Sequence, residues 1–590
     1  MNENSKNMML AMALSMIVLV AWQYFYIEPG KHEAEKIVLE AKKMEGKKQD
    51  IAEKIVGLEP KSQESEGIKD RKEIISEETS RVKISSSTIH GSINLEGGRF
   101  DDLTLAEYRQ ELDKDSPEVV LLSPQGANDV YFAEFGWLDA FGHDIPLPGA
   151  KTFWWSDPNQ KLTSDNNVTL KWDNGQGLSF IRKIELDKNY MFTITEHIEN
   201  NSSKDVALLP YGLITRAREE GDGVYISHEG PLGVFDNILE EITYKNLIDE
   251  KKKEYKKKNG WLGLADKYWL TAIIPQQSEV FDSRFSHRVK GETDRYQVDY
   301  LGEEIKVAAG TKEKFTVRFF AGAKRVGLLD SYEEKFSVPL FDHAVDYGLL
   351  YFLTKPMHEA LKFFNKFLGN FGLAILMLTV IVKLLLFPLA NKSYKSMAKM
   401  KKVQPEIMEL RERFKDEKQK LAQETMKFYK ERKINPAAGC LPVLIQIPIF
   451  FSLYKVLYIS IEMRHAPFYG WIKDLSALDP TNIFNLFGLI NWMPPAWLPH
   501  IGVLPIAFCV TMYVQQLLNP PPSDPTQAIV MRWLPVLFLF LFASFPAGLV
   551  IYWTWSNLLS IVQQYIITRS VEADNGGKPS GKEVAGNADA

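Results

Sequence analysis

A single lysine interrupts a long apolar run in the second half of the chain. Residues 378–390 read LTVIVKLLLFPLA, and Lys383 is the one charged side chain in the run Phe371–Ala390. Twenty residues at about 1.5 Å each cover about 30 Å, so a helix of this run is long enough to span a bilayer. An ammonium group in such a place can attract an anionic partner, provided that it faces a hydrated cavity.

Estimates of insertion energy leave two interpretations of Lys383 open. The twelve interior Leu, Ile, Val and Phe residues favour insertion by about 4 to 7 kcal/mol, and the lysine opposes it by about 2.5 to 3.5 kcal/mol. The run therefore still inserts. In the first interpretation the side chain reaches toward the headgroups, since Asn391 lies roughly 10–12 Å further along the helix. In the second, Lys383 faces water inside a helix bundle.

Further apolar runs predict a helical bundle around this lysine. Met8–Tyr26 ends in aromatic residues without a cleavage site, which indicates an uncleaved first transmembrane helix. We expect six spans in all, and the other five are Phe371–Ala390, Cys440–Ile459, Ile501–Leu518, Trp533–Phe545 and Ala547–Ile567. The last two spans meet within FPAG (545–548), so they form a tight hairpin.

The orientation follows from residues 391–436, which carry fourteen lysines and arginines. A short loop this basic is expected in the cytoplasm. Its apolar residues recur at helical spacing, so we predict a charged helical hairpin, either a purely solvated surface or a docking surface for a partner. Counting spans places the segment before Phe371 outside the cytoplasm and the tail 569–590 inside it.

Residues 81–338 have a different pattern, in which short alternating runs such as LSFIRKIELD and YMFTITEHIEN are separated by turn residues. Period-two alternation at this spacing predicts an antiparallel β-sandwich.

The rest of the chain up to residue 568 divides into four further parts. Residues 1–27 form the anchor, 28–80 are predicted to be a flexible or partly helical linker, and 370–568 hold the remaining spans. Residues 339–369 predict an amphipathic helix, either at the membrane interface or docked on the sandwich.

The composition excludes several classes of function. A net charge of −5 is too mild for a nucleic-acid binder, and Cys440 and Cys509 lie in apolar segments without metal or disulfide spacing. The sandwich has no nucleophile triad, phosphate loop or carboxylate pair that rises above chance. The residues therefore predict no metal site, and they show no catalytic arrangement in the sandwich.

Five segments in order resemble the YidC/Oxa/Alb family of membrane protein insertases in its Gram-negative form. They are SYKSMAKMKKVQP (393–405), RERFKDEKQK (411–420), KINPAAGCLPVLIQIPIFFSLYKVL (433–457), RHAPFYGWIKDLSALDP (464–480) and FPAGLVIYWTWSNLLSIVQQ (545–564). GSINLEGGRFDDLTL (91–105) resembles the start of the large periplasmic domain of this family. The resemblance implies a polytopic α-helical membrane protein whose five core helices enclose a groove, with an anchor helix and a periplasmic antiparallel β-super-sandwich in addition.

The resemblance also implies the residues of the groove. Lys383 stands where the family has a positive residue, usually arginine, and the change keeps a charge but loses the rigid bidentate fork. Thr379, one helical turn earlier, and Gln446 match a groove threonine and glutamine. Trp553 stands where some relatives have tyrosine.

Spacing alone places Trp553, Asn557, Ser560 and Gln564 on one side of the last span. A polar stripe of this kind faces either a groove or a neighbouring helix, to which it hydrogen-bonds. Three residues match positions near which client helices pass in the family: Pro442, Pro448 and Leu541. Taken individually, each also suits ordinary packing or contact with lipid.

The implied function is insertion and folding of integral proteins in the bacterial inner membrane, without enzymatic activity and without a cofactor. The implied partners are nascent membrane proteins, membrane lipid, the SecYEG and SecD–SecF translocon subunits, and the ribosome with signal-recognition targeting factors. Two rivals remain. A secondary transporter can also hold a charge at the midplane, but the chain shows no paired repeat. A structural scaffold that acts mainly through its β-domain is the other.

Overall fold

Two architectures follow each other along the chain in the computed structural model, first β-strands and then helices. The structure describes residues 69–576 except 79, 142–144, 219–226, 292, 416, 433–440, 493, 496–497 and 520–524. The predicted first span, the linker up to residue 68, Cys440 and the tail from residue 577 therefore lie outside the described residues.

The strands of the first half agree with the alternating runs of the sequence. They are β1 (Arg81–Ser85), β2 (Ile89–Asn94), β3 (Arg99–Arg109), β4 (Glu118–Leu122), β5 (Tyr131–Asp139), β6 (Lys161–Leu162), β7 (Val168–Asp173), β8 (Leu178–Leu186), β9 (Met191–Asn200), β10 (Val206–Ala217), β11 (Gly230–Phe235), β12 (Ile238–Glu241), β13 (Lys252–Lys258), β14 (Gly260–Ala265), β15 (Trp269–Ile274), β16 (Val280–Lys290), β17 (Thr293–Leu301), β18 (Ile305–Val307) and β19 (Lys312–Ala323).

The strands form two large sheets. Within the described residues, the larger sheet has the order β13-β16-β17-β10-β5-β3-β2-β1-β6, with β18 beside β10 and β4 beside β3. The smaller sheet has the order β12-β11-β14-β15-β19-β9-β8-β7. The strand pairs are antiparallel except for β1 with β6. The predicted antiparallel β-sandwich is confirmed.

Alternating side chains from both sheets build the core of the sandwich. Along β8 every second residue, from Leu178 to Leu186, is buried. Phe100 of the larger sheet packs against Phe192 and Phe319 of the smaller sheet, with ring centroids 5.2 and 5.4 Å apart. Because edge-on aromatic pairs of this kind bury large apolar areas, they hold the two sheets together.

Helices make up the second half of the described chain, and three short ones accompany the sandwich. The helices are α1 (Arg71–Glu77), α2 (Tyr244–Glu250), α3 (Val326–Phe336), α4 (Tyr351–Leu368), α5 (Phe371–Leu385), α6 (Phe387–Arg413), α7 (Lys418–Glu431), α8 (Leu441–Ile459), α9 (Val503–Leu518), α10 (Pro525–Phe542) and α11 (Ala547–Gly576). The helical region that was predicted after the sandwich is thus present.

Three helix boundaries differ from the sequence-based expectation. The run Phe371–Ala390 is bent, because α5 ends at Leu385 and α6 continues at an angle of 67°. Pro388 lies in the first turn of α6, where a missing N–H is tolerated, whereas one continuous helix would lose a hydrogen bond there. The helix expected from residue 339 begins at Tyr351, after Gly348 with a φ of 69°. The helix expected from Trp533 begins at Pro525.

The number of membrane crossings stays a prediction. Among the described helices, no single one is both long and apolar enough to cross a membrane, whereas the bent pair α5–α6 meets this test as a unit. Shorter apolar helical stretches are Leu444–Ile459, Val503–Leu518 and Ala528–Phe542.

A polar junction connects the sandwich to the helices. Lys455 near the end of α8 donates to the Asp346 carboxylate at 2.7 Å, and this carboxylate also accepts from the His228 N–H at 2.8 Å. Burial opposes ionisation of Asp346, but these donors hold its pKa below the ordinary value. Ile459 and Ile461, at the end of α8 and just after it, join the core of the sandwich. This end of the helices is therefore the end that carries the sandwich.

Candidate functional site

Four helices line a small pocket beside Lys383. Its lining consists of Met357 from α4, of Leu378, Thr379, Val382 and Lys383 from α5, of Gln446, Ile449 and Leu453 from α8, and of Tyr552 from α11. Five of these side chains are hydrocarbon or thioether, and the polar ones are a lysine, a threonine, a glutamine and a tyrosine. The pocket therefore combines a mostly apolar wall with a few polar groups around one cation.

Lys383 is held by a serine of the last helix. Its ammonium donates to the Ser560 hydroxyl at 2.8 Å, and Ser560 in turn donates to the backbone carbonyl of Ser556 at 2.9 Å. This second bond commits the hydroxyl proton, so a lone pair of Ser560 is left to face the ammonium. Within the part of the chain that the structure describes, no carboxylate forms an ion pair with Lys383. At least two ammonium protons are therefore left for other acceptors.

The other predicted polar residues of the pocket are satisfied locally. The Gln446 amide donates to the Tyr552 hydroxyl at 2.9 Å, which connects α8 with α11. The Thr379 hydroxyl is buried and donates to the Ile375 carbonyl of its own helix at 2.6 Å. Thr379, Lys383 and Gln446 are thus brought together around one pocket, as the resemblance implied, and their roles stay predictions.

Trp553 lies elsewhere, in an aromatic cluster between α8, α9 and α10. Its ring centroid is 4.5 Å from that of Phe450, 4.8 Å from that of Phe542 and 5.5 Å from that of Phe508. Its indole nitrogen is buried and has no hydrogen-bond partner among the described residues. The neighbouring Tyr552, rather than Trp553, lines the pocket.

The polar stripe on α11 divides between two neighbours. Asn557 donates to the Thr511 hydroxyl of α9 at 3.4 Å, and Gln564 donates to Asn519 at the end of α9 at 3.0 Å. These two residues connect α11 with α9, whereas Ser560 accepts a hydrogen bond from Lys383. Tyr552, Ser556 and Ser560 recur at intervals of four residues, and this spacing is the sequence signal that would have identified the pocket side of α11.

The residues predicted to contact clients lie on two apolar helices. Pro448 on α8 and Leu541 on α10 are exposed. Pro442 belongs to α8, but its side chain lies outside the described residues. No group of three or more His, Cys, Asp or Glu side chains in the described residues could hold a metal ion.

Comparisons with known proteins agree over almost the whole chain. The family model described as the YidC periplasmic domain matches residues 81–360, and the model described as the 60Kd inner membrane protein matches residues 363–574. Membrane protein insertase YidC of Rickettsia bellii is 46% identical over 574 residues, covering 96% of this chain and 100% of the relative. The chain belongs to the YidC family of membrane protein insertases.

A second curated relative and a solved structure also match most of the chain. YidC of Bradyrhizobium diazoefficiens is 46% identical and covers 96% of this chain and 97% of its own length. A solved structure described as active YidC insertase with its first transmembrane domain resolved shares 19% identity, covers 82% of this chain and 92% of its own, and has a TM-score of 0.34. The two family models and the relatives at 46% identity confirm the resemblance to a family of inner-membrane insertases with a periplasmic domain. The relatives are named as insertases, which is consistent with the prediction that the chain is not an enzyme.

Proposed function

We propose that this chain inserts membrane proteins by giving their polar segments a hydrated groove centred on Lys383. The observation that carries the proposal is the ammonium of Lys383, which is enclosed by apolar helices and held by one serine hydroxyl without an acidic partner among the described residues. A cation in this condition is available to a passing carboxylate. A single ammonium attracts a carboxylate but does not hold it in a fixed bidentate geometry, so the client is not retained.

The energetic logic is a shorter path for the client. A polar tail must cross about 30 Å of hydrocarbon, and a groove that reaches part of the way removes much of that distance. The client's apolar helix then moves into lipid, driven by the burial of its own apolar surface. This step requires no nucleotide. We further propose that the helix moves along α8 and α10, past Pro442, Pro448 and Leu541.

The remaining parts of the proposal concern topology and partners. The chain has six transmembrane helices, five of which form the insertase core, and its C-terminus is cytoplasmic. The hairpin of α6 and α7 receives clients from the ribosome or from signal-recognition targeting factors. Val403 and Ile407 of α6 pack beside Phe428 of α7, so the basic side chains of the hairpin are left on its outer surface for such a partner. The chain acts alone or beside SecYEG, and the sandwich binds the SecD–SecF subunits.

Protease protection in liposomes tests the proposal. The purified full chain is reconstituted alone, and a short, single-span client with an acidic tail is added without ATP. We expect wild type to protect the tail and Lys383→Ala to lower the initial rate of protection at least tenfold. Lys366→Ala is the matched control, since it removes an exposed lysine of α4 outside the pocket. Equal rates for all three chains would contradict the role of Lys383, and the absence of protection by wild type would contradict autonomous insertion.

A further inference from the structure

The segment between α8 and α9 projects a large apolar surface. Seven bulky apolar side chains of residues 483–492 are exposed: Ile483, Phe484, Leu486, Phe487, Leu489, Ile490 and Trp492. Leu489 is 86% exposed. Clusters of exposed apolar side chains commonly mark sites of contact with a protein or a membrane. These residues, 483–492, are called the apolar tip.

A buried aspartate fixes the base of the apolar tip. The Asp479 carboxylate accepts from the Trp471 indole at 3.1 Å and from the Leu504 N–H in the first turn of α9 at 2.8 Å. The Ile483 N–H donates to the Ile501 carbonyl at 2.8 Å and closes the two ends of the loop. The base of the tip is therefore attached to the start of α9 through the partly buried hydrogen bond between Asp479 and Leu504.

The composition of the loop favours lipid over a protein as its partner. The sequence has no Asp, Glu, Lys or Arg between Asp479 and Asp524, so the tip carries no charged side chain whose entry into a bilayer would be costly. Trp492 is exposed in the tip and Trp471 at its base, and tryptophan is enriched where membranes meet water. The loop continues directly into α9, where Val510 and Leu517 are exposed as well.

The position of the loop identifies the side of the membrane. It follows α8 at the end where Ile461 packs into the sandwich, and the family model for that sandwich is described as the periplasmic domain. We propose that the apolar tip is a membrane anchor, which inserts Leu489 and its apolar neighbours into the periplasmic leaflet of the phospholipid bilayer that holds the helices. The anchor fixes the depth of the N-terminal end of α9.

Depth-dependent fluorescence quenching tests this anchor. Leu489→Cys is made in a full chain whose Cys440 and Cys509 are replaced by serine, labelled with an environment-sensitive fluorophore and placed in nanodiscs of phosphatidylethanolamine and phosphatidylglycerol. Lipids with a nitroxide near the glycerol backbone should quench the label at least twofold, and aqueous iodide should quench it weakly. Val289→Cys is the matched control, because Val289 is 63% exposed on the sandwich and should show the reverse pattern.

A second variant separates anchoring from local packing. The label is moved to Phe484→Cys, and Leu489→Asp with Ile490→Asp should lower its quenching by the lipid nitroxide at least twofold. Leu489→Met with the same label should leave the quenching unchanged. A Leu489 label that iodide quenches as strongly as the Val289 label would overturn the proposal. Protection of the Leu489 label from both quenchers would also overturn it, since the tip would then pack against protein, such as a second copy of the chain.

Discussion

The sandwich and the helical region place their apolar side chains in opposite ways. In the sandwich, large aromatic residues such as Phe100, Phe180 and Phe192 are fully buried. In the helical region, Leu385 is 75% exposed and Leu537 is 65% exposed. Apolar side chains are buried away from water, whereas they can remain exposed to the hydrocarbon of a bilayer. The sandwich therefore suits water, and the helices suit hydrocarbon.

The two regions also treat their charges differently. The sandwich buries complete ion pairs, such as Arg99 with Glu134 and Arg284 with Asp299. In the helical region, Lys383 is partly enclosed and has only the Ser560 hydroxyl as a described partner. A paired charge contributes to structure, whereas a cation without a counter-ion is available for function. The contrast supports the proposal that Lys383 is the charge that attracts clients.

The largest expected effect comes from breaking a complete pair in the sandwich. Arg99 donates to the Glu134 carboxylate at 3.1 Å, and both side chains are buried. Arg99→Leu leaves Glu134 without its cation, so we expect the free energy of opening of β3 and β5 to fall by about 3–5 kcal/mol. Hydrogen–deuterium exchange on the full chain in nanodiscs measures this quantity.

Two further variants sharpen the comparison. The double variant Arg99→Leu with Glu134→Leu should recover most of the loss, since no unpaired charge remains. Lys252→Leu breaks the exposed pair with Glu254 at 3.2 Å and should cost less than about 1 kcal/mol. An Arg99→Leu effect no larger than that of Lys252→Leu would contradict the account of the buried pair.

The junction between the two regions should weaken in acid. Because the folded state holds the pKa of Asp346 below that of an ordinary aspartate, the unfolded or undocked state binds the proton more tightly. The stabilisation is therefore present above about pH 4, the ordinary aspartate value, and it is lost as the pH falls further through the folded-state pKa. The protection factors of residues 341–350, which compare the measured exchange rate with the intrinsic rate at the same pH, should fall in that window at constant ionic strength.

Lys455→Met provides the control for this junction, because it removes the cation that contacts Asp346 at 2.7 Å. In this variant, the protection factors should already be lower at pH 7, and their additional fall in acid should be smaller than in wild type. An unchanged acid response in Lys455→Met would show that another group controls the junction.

A smaller effect is expected from Ser560, which accepts a hydrogen bond from Lys383. Ser560→Ala removes the acceptor of the Lys383 ammonium, and a hydrogen bond to a charged group contributes about 1.5–3 kcal/mol at most, some of which water restores. We expect a two- to fivefold slower insertion of clients with acidic tails and little change for clients without a tail. Initial rates of protease protection measure both.

Thr554→Ala is the matched control on the same helix, because the Thr554 hydroxyl donates to the Val550 carbonyl of its own helix at 2.8 Å. It should leave both rates unchanged. A Ser560→Ala chain that slows all clients equally would indicate a role in packing rather than in holding the charge.

Structural features that produce a periodic pattern of apolar residues could be predicted from the sequence. Alternation along β8 predicted the sandwich, and the apolar runs predicted the helices, because both patterns reflect burial of one face. Lys383 was identified because a charge in an apolar run has a large energetic cost. Thr379 and Gln446 came from the resemblance alone, and they do line the pocket.

Features that depend on packing between elements could not be predicted. Trp553 and Tyr552 differ by about 100° around α11, and only its packing against α5 and α8 decides that Tyr552 lines the pocket. The bend between α5 and α6 was missed, although Pro388 marks it. The apolar tip has neither helical nor strand periodicity. The exposure of its side chains depends on tertiary contacts at its base, such as the hydrogen bond between Asp479 and Leu504, which are far apart in the sequence.

The most direct test of the central claim is a charge swap between the lysine and the client. Wild type and Lys383→Glu chains, each reconstituted alone in liposomes, are given single-span clients that differ only in an acidic or a basic tail. If the ammonium attracts the tail, wild type should insert the acidic-tailed client faster, and Lys383→Glu should reverse this preference. If Lys383→Glu inserts the acidic-tailed client as fast as wild type does, electrostatic attraction by Lys383 is not what moves the tail.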